Sequence, residues 1–195
     1  CMKTILTQHL NYNSAVEKTL ILYKLNKYTE MKKIIAINFI SLFFLTFANA
    51  NDPKSVGKFK NWETFTYDDG KGKICFAQTI PLERSPNNFV RKPSRLFVTF
   101  RKSEKIKDEV SVTSGHEYKS ASVTATSGKN EFSMFSQGNF AWLIDREEEA
   151  SLIKTMKKAS RLSILAKANN GRQTKDLYSM MGFTKAYNTA KKNCA

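Results

Sequence analysis

Residues 183–194 read FTKAYNTAKKNC, and this stretch predicts a helix that packs against the rest of the domain. Phe183, Ala186, Tyr187 and Ala190 recur at the i, i+3, i+4 and i+7 spacing of one apolar helix face. Cys194 follows Phe183 by eleven residues, and eleven steps of about 100° return to nearly the same face. We therefore expect an amphipathic C-terminal helix whose cysteine points where its apolar stripe points, toward a sheet.

The residues before this helix alternate with period two and predict strands. The clearest strand is 95–101, in which Leu96, Val98 and Phe100 share one face. Turn residues predict two hairpins, one joining 62–67 to 73–80 and one joining 120–126 to 131–136. Further strands are predicted at 110–113, 140–144, 161–168 and 172–178.

Three polar stretches interrupt this pattern. Residues 51–60 are predicted to be a frayed lead-in, 81–93 an irregular connection rich in Asn, Pro and Arg, and 102–109 a solvated, highly charged loop.

One helix is inserted among the strands, because the hydrophobic period changes from 2 to 3.6 after Asp145. Asp145 and Glu148 have the spacing of a capping box, and Leu152, Ile153, Met156 and Ala159 form the apolar stripe. The expected fold is therefore mainly β, a β-sandwich or curled antiparallel sheet, with one inserted helix and one C-terminal helix.

Residues 31–50 have the three parts of a secretory signal peptide. Lys32 and Lys33 supply a positive start, residues 34–47 are almost wholly apolar, and Ala48-Asn49-Ala50 has the small residues that a signal peptidase requires. The apolar run is shorter than the roughly 20 residues that span a bilayer. We expect cleavage between Ala50 and Asn51; an uncleaved membrane anchor is the alternative.

Residues 1–30 are predicted to be translated upstream sequence, with Met31 as the true start, and an extra helix there is the alternative. Residues 51–195 then form a single β-rich domain. A periplasmic or secreted location follows from the signal, with membrane contact only through the signal segment.

Two cysteines, Cys75 and Cys194, remain in the exported part of the chain. An even cysteine count in an oxidising compartment predicts that they pair, and Cys75 lies on a strand that the C-terminal helix is expected to cover. The closed loop would stabilise the domain by roughly 4–5 kcal/mol on chain-entropy grounds. Two buried free thiols are the alternative.

Catalytic signatures are missing from the sequence, which contains no G-x-S-x-G, H-E-x-x-H, phosphate-binding glycine loop or C-x-x-C. His116, the one histidine after residue 50, is interpreted as a loop side chain, and Asp176 and Tyr178 as structural residues. The triplet Glu147-Glu148-Glu149 is interpreted as compensation of the helix dipole. The sequence predicts no enzyme, no metal site and no cofactor.

A strongly basic stretch lies within a chain that already carries a net charge of +15. Aromatic residues lie among its basic side chains, and Phe97-Val98-Thr99-Phe100 matches the end of an RNA-recognition signature whose earlier part is absent. Because the chain is predicted to be exported, nucleic acid is not expected, and the anions at hand would be lipopolysaccharide phosphates or other envelope groups. A solvated surface without a specific ligand is the simpler interpretation. The basic residues of this possible anion-binding patch are Arg91, Lys92, Arg95, Arg101, Lys102, Lys105 and Lys107.

The order of several short motifs from Trp62 to Cys194 resembles the invasion-associated locus B proteins of alphaproteobacteria. The matching pieces are Phe59-Lys60-Asn61-Trp62, Ile74-Cys75-Phe76-Ala77, Ser114-Gly115-His116-Glu117-Tyr118, Ala141-Trp142, residues 176–186 and Cys194. His116 departs from the family pattern, since it stands where the family has the tyrosine of a Gly-Tyr turn.

The resemblance implies an exported, mostly β domain without catalytic residues to carry over. The expected function is that of a non-enzymatic envelope or interaction protein whose partner is an envelope or host-surface protein, or an anionic envelope component. The alternative is a polyanion binder that uses the basic patch at 91–107.

Overall fold

The computed structural model describes residues 52–194, so the predicted signal peptide, its cleavage site at Ala50–Asn51 and residues 1–30 lie outside the described residues. Eleven strands form one open sheet in the order β1-β2-β3-β5-β6-β9-β8-β7-β10-β11-β4, and neighbouring strands pair antiparallel. The strands are β1 Lys54–Phe59, β2 Trp62–Asp68, β3 Lys73–Thr79, β4 Glu83–Ser85, β5 Arg95–Arg101, β6 Ile106–Thr113, β7 Val123–Ser127, β8 Asn130–Gln137, β9 Phe140–Trp142, β10 Arg161–Lys167 and β11 Gln173–Ser179. The expectation of a mainly β, curled antiparallel sheet with two helices is confirmed.

Helix α1 (Arg146–Lys158) begins where its predicted cap lies. The Asp145 carboxylate accepts hydrogen bonds from the backbone N–H groups of Glu147 and Glu148, at 2.7 and 3.0 Å. These bonds satisfy two of the N–H groups that a helix start leaves free. Leu152, Ile153 and Met156 are buried, as the apolar stripe predicts.

Helix α2 (Phe183–Asn193) packs its predicted stripe against the inner face of the sheet. Phe183 lies with its ring centroid 4.8 Å from that of Trp62, and the Ala186 carbonyl accepts a hydrogen bond from the Thr64 hydroxyl. Gly182 precedes the helix at φ +94°, and a Cβ there would lie 1.9 Å from the Phe59 carbonyl oxygen. Only glycine therefore allows the helix to start this close to β1.

The disulfide expected between Cys75 and Cys194 is present and fastens the end of α2 to β3, with the two Cα atoms 5.8 Å apart. The sulfur atom of Cys194 lies on the sheet side of the helix, as the position of this residue in the sequence predicts. Buried side chains from both halves of the sheet and from both helices form one continuous core cluster.

Two predicted loops contain strands that the sequence analysis missed, and a third contains the first half of a strand predicted to begin at residue 110. β1 lies in the supposed lead-in and β4 in the irregular connection, and both are edge strands of the sheet. Their side chains are mostly exposed on both faces, so no apolar alternation marks them. Strand β6 starts at Ile106 inside the supposed charged loop.

The start of β6 contains a bulge. Thr99 pairs with Glu109 and Arg101 with Ile106, so Lys107 and Asp108 together oppose Phe100. Asp108 adopts the left-handed backbone region at φ +65°. Among residues 52–194, neither helix is long and apolar enough to cross a membrane.

Candidate functional site

A buried ion pair joins the connection after β4 to strand β11. Asp176 accepts hydrogen bonds from the two terminal guanidinium nitrogens of Arg91, Nη2 at 2.5 Å and Nη1 at 2.9 Å, and the Asp176 and Arg91 side chains are 0% and 1% exposed. Arg91 also donates to the Ser94 hydroxyl and to the Ser114 carbonyl. Asp176 therefore has a structural role, because its carboxylate holds residues 86–93 against the sheet.

His116 lies beside this ion pair rather than free in a loop. Its Nδ1 is 3.0 Å from the Glu117 carbonyl oxygen and its Nε2 is 3.0 Å from the Thr174 hydroxyl. A carbonyl oxygen only accepts, so Nδ1 carries a proton and donates it to Glu117. Burial, together with the nearby Arg91, lowers the pKa of His116, although the bond to Glu117 opposes this shift. The ring is thus held in place by hydrogen-bond partners within the fold.

Two tyrosines complete this cluster. Burial raises the pKa of Tyr118 to about 12, and its hydroxyl donates to Ser114 at 3.0 Å. Burial also raises the pKa of Tyr178, whose hydroxyl has no hydrogen-bond partner in the part of the chain that the structure describes. Because these side chains are buried and bonded mostly to one another, we interpret the cluster as structural support.

The seven residues of the predicted anion-binding patch occupy different settings. Arg91 is paired with Asp176, Lys92 lies in the connection before β5, and Arg95 is the first residue of β5. Arg101 lies at the other end of that seven-residue strand, about 20 Å away at 3.3 Å per residue. Its guanidinium makes ion pairs with Glu109 at 2.9 Å and Glu104 at 3.5 Å. The structure therefore does not bring the seven side chains together as one surface.

The three remaining lysines of the patch line a groove of about 790 Å³ at the disulfide end of the sheet. We call it the basic groove. Its residues come from the β5–β6 turn, the β6 bulge, the first turns of α1 and the end of α2; they are Phe100, Lys102, Lys105, Ile106, Lys107, Asp108, Arg146, Glu149, Ala150 and Cys194. Its volume falls within the roughly 300–1,000 Å³ of small-molecule sites.

The two carboxylates of the basic groove are held by the fold. Asp108 accepts from the Tyr187 hydroxyl at 2.5 Å, and Glu149 accepts from the Val110 backbone N–H at 2.7 Å. Burial, reinforced by the negative charges of Glu109 and Asp108, raises the pKa of Glu149 to about 7, against the bond from Val110. Glu149 is thus more than the dipole-compensating residue that the sequence suggests, because it joins α1 to β6.

The outer face of strands β2, β3, β5, β6, β9 and β8 forms a second surface, which we call the aromatic face. Cross-strand pairing places Phe65 opposite Phe76, and Trp142 opposite both Ser111 and Phe135. Both helices pack on the opposite, buried face, so neither helix covers this one. Its aromatic residues are Phe65, Tyr67, Phe76, Phe97, Phe135, Phe140 and Trp142.

The rings of the aromatic face form two groups of contacting side chains, one on β2, β3 and β5 and one on β8 and β9. Phe76 lies 5.3 Å from Phe65 and 6.1 Å from Phe97, and Phe135 lies 5.5 Å from Trp142, measured between ring centroids. Phe135 and Phe140 are 46% and 39% exposed. The sequence analysis missed this surface, although the alternation of these aromatics with core residues in β2, β3, β5 and β9 was a signal that could have found it.

Within residues 52–194, no three His, Cys, Asp or Glu side chains lie close enough together to hold an ion.

Comparison with models of known protein families and with curated protein sequences gave no match. Among solved structures, the chain is similar to the crystal structure of invasion associated protein b from Bartonella henselae. The two sequences are 14% identical, the TM-score is 0.51, and the likeness covers 72% of this chain and 96% of that chain. The chain therefore has the fold of this invasion associated protein, as its resemblance to the invasion-associated locus B proteins implies.

Proposed function

We propose that the chain is an exported, disulfide-stabilised protein of the periplasm or cell surface that acts by binding a protein partner rather than by catalysis. The aromatic face carries this proposal. Contiguous apolar patches on a protein surface mark interaction sites, and aromatic side chains are enriched at protein interfaces because they bury large rigid areas.

Export is supported by two independent features. Residues 31–50 have the pattern of a secretory signal, and the described domain contains the Cys75–Cys194 disulfide. Such bonds persist in oxidising compartments and are rare in the cytosol.

Binding rather than catalysis is supported by the state of the polar side chains. Arg91, Asp176 and His116 are the group that most resembles catalytic machinery, and each is engaged by partners within the fold. Their arrangement supports the connection between β4 and β5.

Export is tested by the intact mass of the native protein, alkylated with and without prior reduction. We expect a mass that starts at Asn51 and label on two cysteines only after reduction. A chain that retains residues 31–50 and carries two free thiols would overturn export.

The contact surface is tested by a photo-crosslinking amino acid placed at Phe140 in the source cells. Leu165 is the matched control, because it is 42% exposed on β10, two strands beyond β8 at the edge of the aromatic face. We expect one discrete crosslinked species from position 140, lost when Phe135→Ser is added, and none from position 165. Equal crosslinking from both positions would refute the aromatic face as the contact surface.

A second function, binding of an anionic envelope component, is favoured by the basic groove. Lys102, Lys105 and Lys107 make no ion pair with any residue in the range 52–194. Charge-driven binding of a long-chain polyphosphate should weaken steeply between about 50 and 200 mM salt. Binding that is insensitive to salt, or that survives replacement of all three lysines by Gln, would remove this function.

A further inference from the structure

The basic groove combines three kinds of chemistry within one concavity. Lys102, Lys105, Lys107 and Arg146 supply cations, Asp108 and Glu149 supply carboxylates, and Ile106 with the exposed edge of the otherwise buried Phe100 supplies an apolar wall. Even with both carboxylates ionised, the lining keeps an excess of two positive charges. The charge of a ligand that fits it is therefore negative.

The two carboxylates of the basic groove restrict the class of ligand further. Each uses one oxygen in a hydrogen bond to the fold, Asp108 from Tyr187 and Glu149 from Val110. The second oxygen of each accepts no hydrogen bond from the described residues. An ionised carboxylate only accepts, so a ligand that carries hydrogen-bond donors such as hydroxyl groups would complement these oxygens.

The β6 bulge brings the two signs of charge together. Lys107 and Asp108 are adjacent in sequence and would point to opposite faces of a regular strand. With two residues opposite Phe100 and Asp108 in the left-handed region, both side chains line the groove. Bulges that redirect side chains in this way are over-represented next to functional sites.

We propose that the basic groove binds a phosphorylated sugar. The lysines and Arg146 bind the phosphate, the free oxygens of Asp108 and Glu149 accept from ring hydroxyl groups, and the sugar ring packs against Phe100 and Ile106. This inference rests on the second proposed function, anion binding, and specifies its ligand. A phosphate without a sugar leaves the carboxylates unused, and a neutral sugar leaves the cations unused.

Calorimetric titration of the disulfide-bonded protein with glucose 6-phosphate, glucose and inorganic phosphate tests the proposal. We expect glucose 6-phosphate to bind at least tenfold more tightly than either of the other two. The variant Lys102→Gln, Lys105→Gln, Lys107→Gln should lose at least tenfold in that affinity. The matched control Lys119→Gln, Lys129→Gln, Lys175→Gln removes the same charge from exposed lysines elsewhere and should bind like the wild type.

The Glu149→Gln variant isolates recognition of the sugar. Gln keeps an acceptor for the Val110 N–H but removes the negative charge. The preference for glucose 6-phosphate over inorganic phosphate should fall about threefold to tenfold, because a charged acceptor is replaced by a neutral one. General attraction to anions would leave this preference unchanged.

Equal affinity for glucose 6-phosphate and inorganic phosphate would overturn the proposal, even if polyphosphate still binds at the groove and anion binding survives. Competition with lipid A micelles separates two sources of the same chemistry. Displacement of glucose 6-phosphate by these micelles, but not by detergent alone, assigns the ligand to a lipid headgroup. Failure to displace it assigns the ligand to a free sugar phosphate.

Discussion

Replacement of Asp176 by Asn should destabilise the domain more than most single substitutions. The change leaves the Arg91 guanidinium charged and buried, with its side chain 1% exposed. Removing one partner of a buried ion pair costs about 3–5 kcal/mol, since the remaining charge has lost its compensation. Arg91 keeps its bonds to Ser94 and Ser114, so we expect a loss of about 3 kcal/mol, at the lower end.

Urea denaturation at neutral pH measures this loss as a change in the free energy of unfolding. For a domain of this size, about 3 kcal/mol corresponds to a fall in Tm of roughly 6–12 °C. The double variant Arg91→Met, Asp176→Leu serves as the control because it removes both charges and keeps apolar volume. It should lose less stability than Asp176→Asn alone.

Two results would refute this reasoning. A loss below about 1 kcal/mol in Asp176→Asn would show that the guanidinium finds water or other acceptors. A double variant at least as unstable as the single one would show that the site depends on packing or on the bonds of Arg91 to Ser94 and Ser114, not on compensation of charge.

Three further predictions concern the disulfide, Glu149 and Gly182. The double variant Cys75→Ser, Cys194→Ser removes a cross-link between residues 119 positions apart and should lower the free energy of unfolding in guanidinium by up to about 5 kcal/mol. An unchanged denaturation midpoint would contradict this. Burial raises the pKa of Glu149 from 4.5 to about 7, so the folded state binds this proton more tightly and wild-type stability falls as the pH rises between these values. The unfolding free energy of Glu149→Gln, relative to that of wild type, should rise by about 1–2 kcal/mol between pH 4.5 and 8, after discounting for solvent screening of this half-buried group. A difference in urea stability that does not change with pH would count against this prediction. Gly182→Ala should lower the free energy of unfolding by at least about 3 kcal/mol, because its Cβ would meet the Phe59 carbonyl. In the control Gly138→Ala, the Cβ has open space at φ +60°, so thermal denaturation should show a loss of only about 1 kcal/mol. Equal losses in the two variants would refute the steric argument.

Much of the fold could be predicted because local patterns and tertiary contacts agree. The Asp145 cap, the stripe of α2 and the alternation of β5 each depend on residues close in sequence, and each appears as predicted. Cys194 was placed correctly for the same reason, since its direction follows from the helical repeat counted from Phe183.

The edge strands and the candidate sites depend on residues far apart in the chain. β1 and β4 are strands because β2 and β11 offer them hydrogen bonds, not because their own side chains alternate. The local sequence of Arg91 is that of a surface cation, but the fold places Asp176 of β11, which lies 85 residues later, against its guanidinium. The basic groove arises where the β6 bulge, the start of α1 and the end of α2 converge.

The sequence by itself determined the types of most elements, the register of the apolar faces and the cysteine that faces the sheet, because periodicity acts over a few residues. The tertiary structure alone decided which charges are neutralised, which carboxylates keep a free oxygen and which aromatic side chains share an uncovered face. These properties depend on partners brought together from distant parts of the chain, and a side chain's local sequence does not specify its distant neighbours.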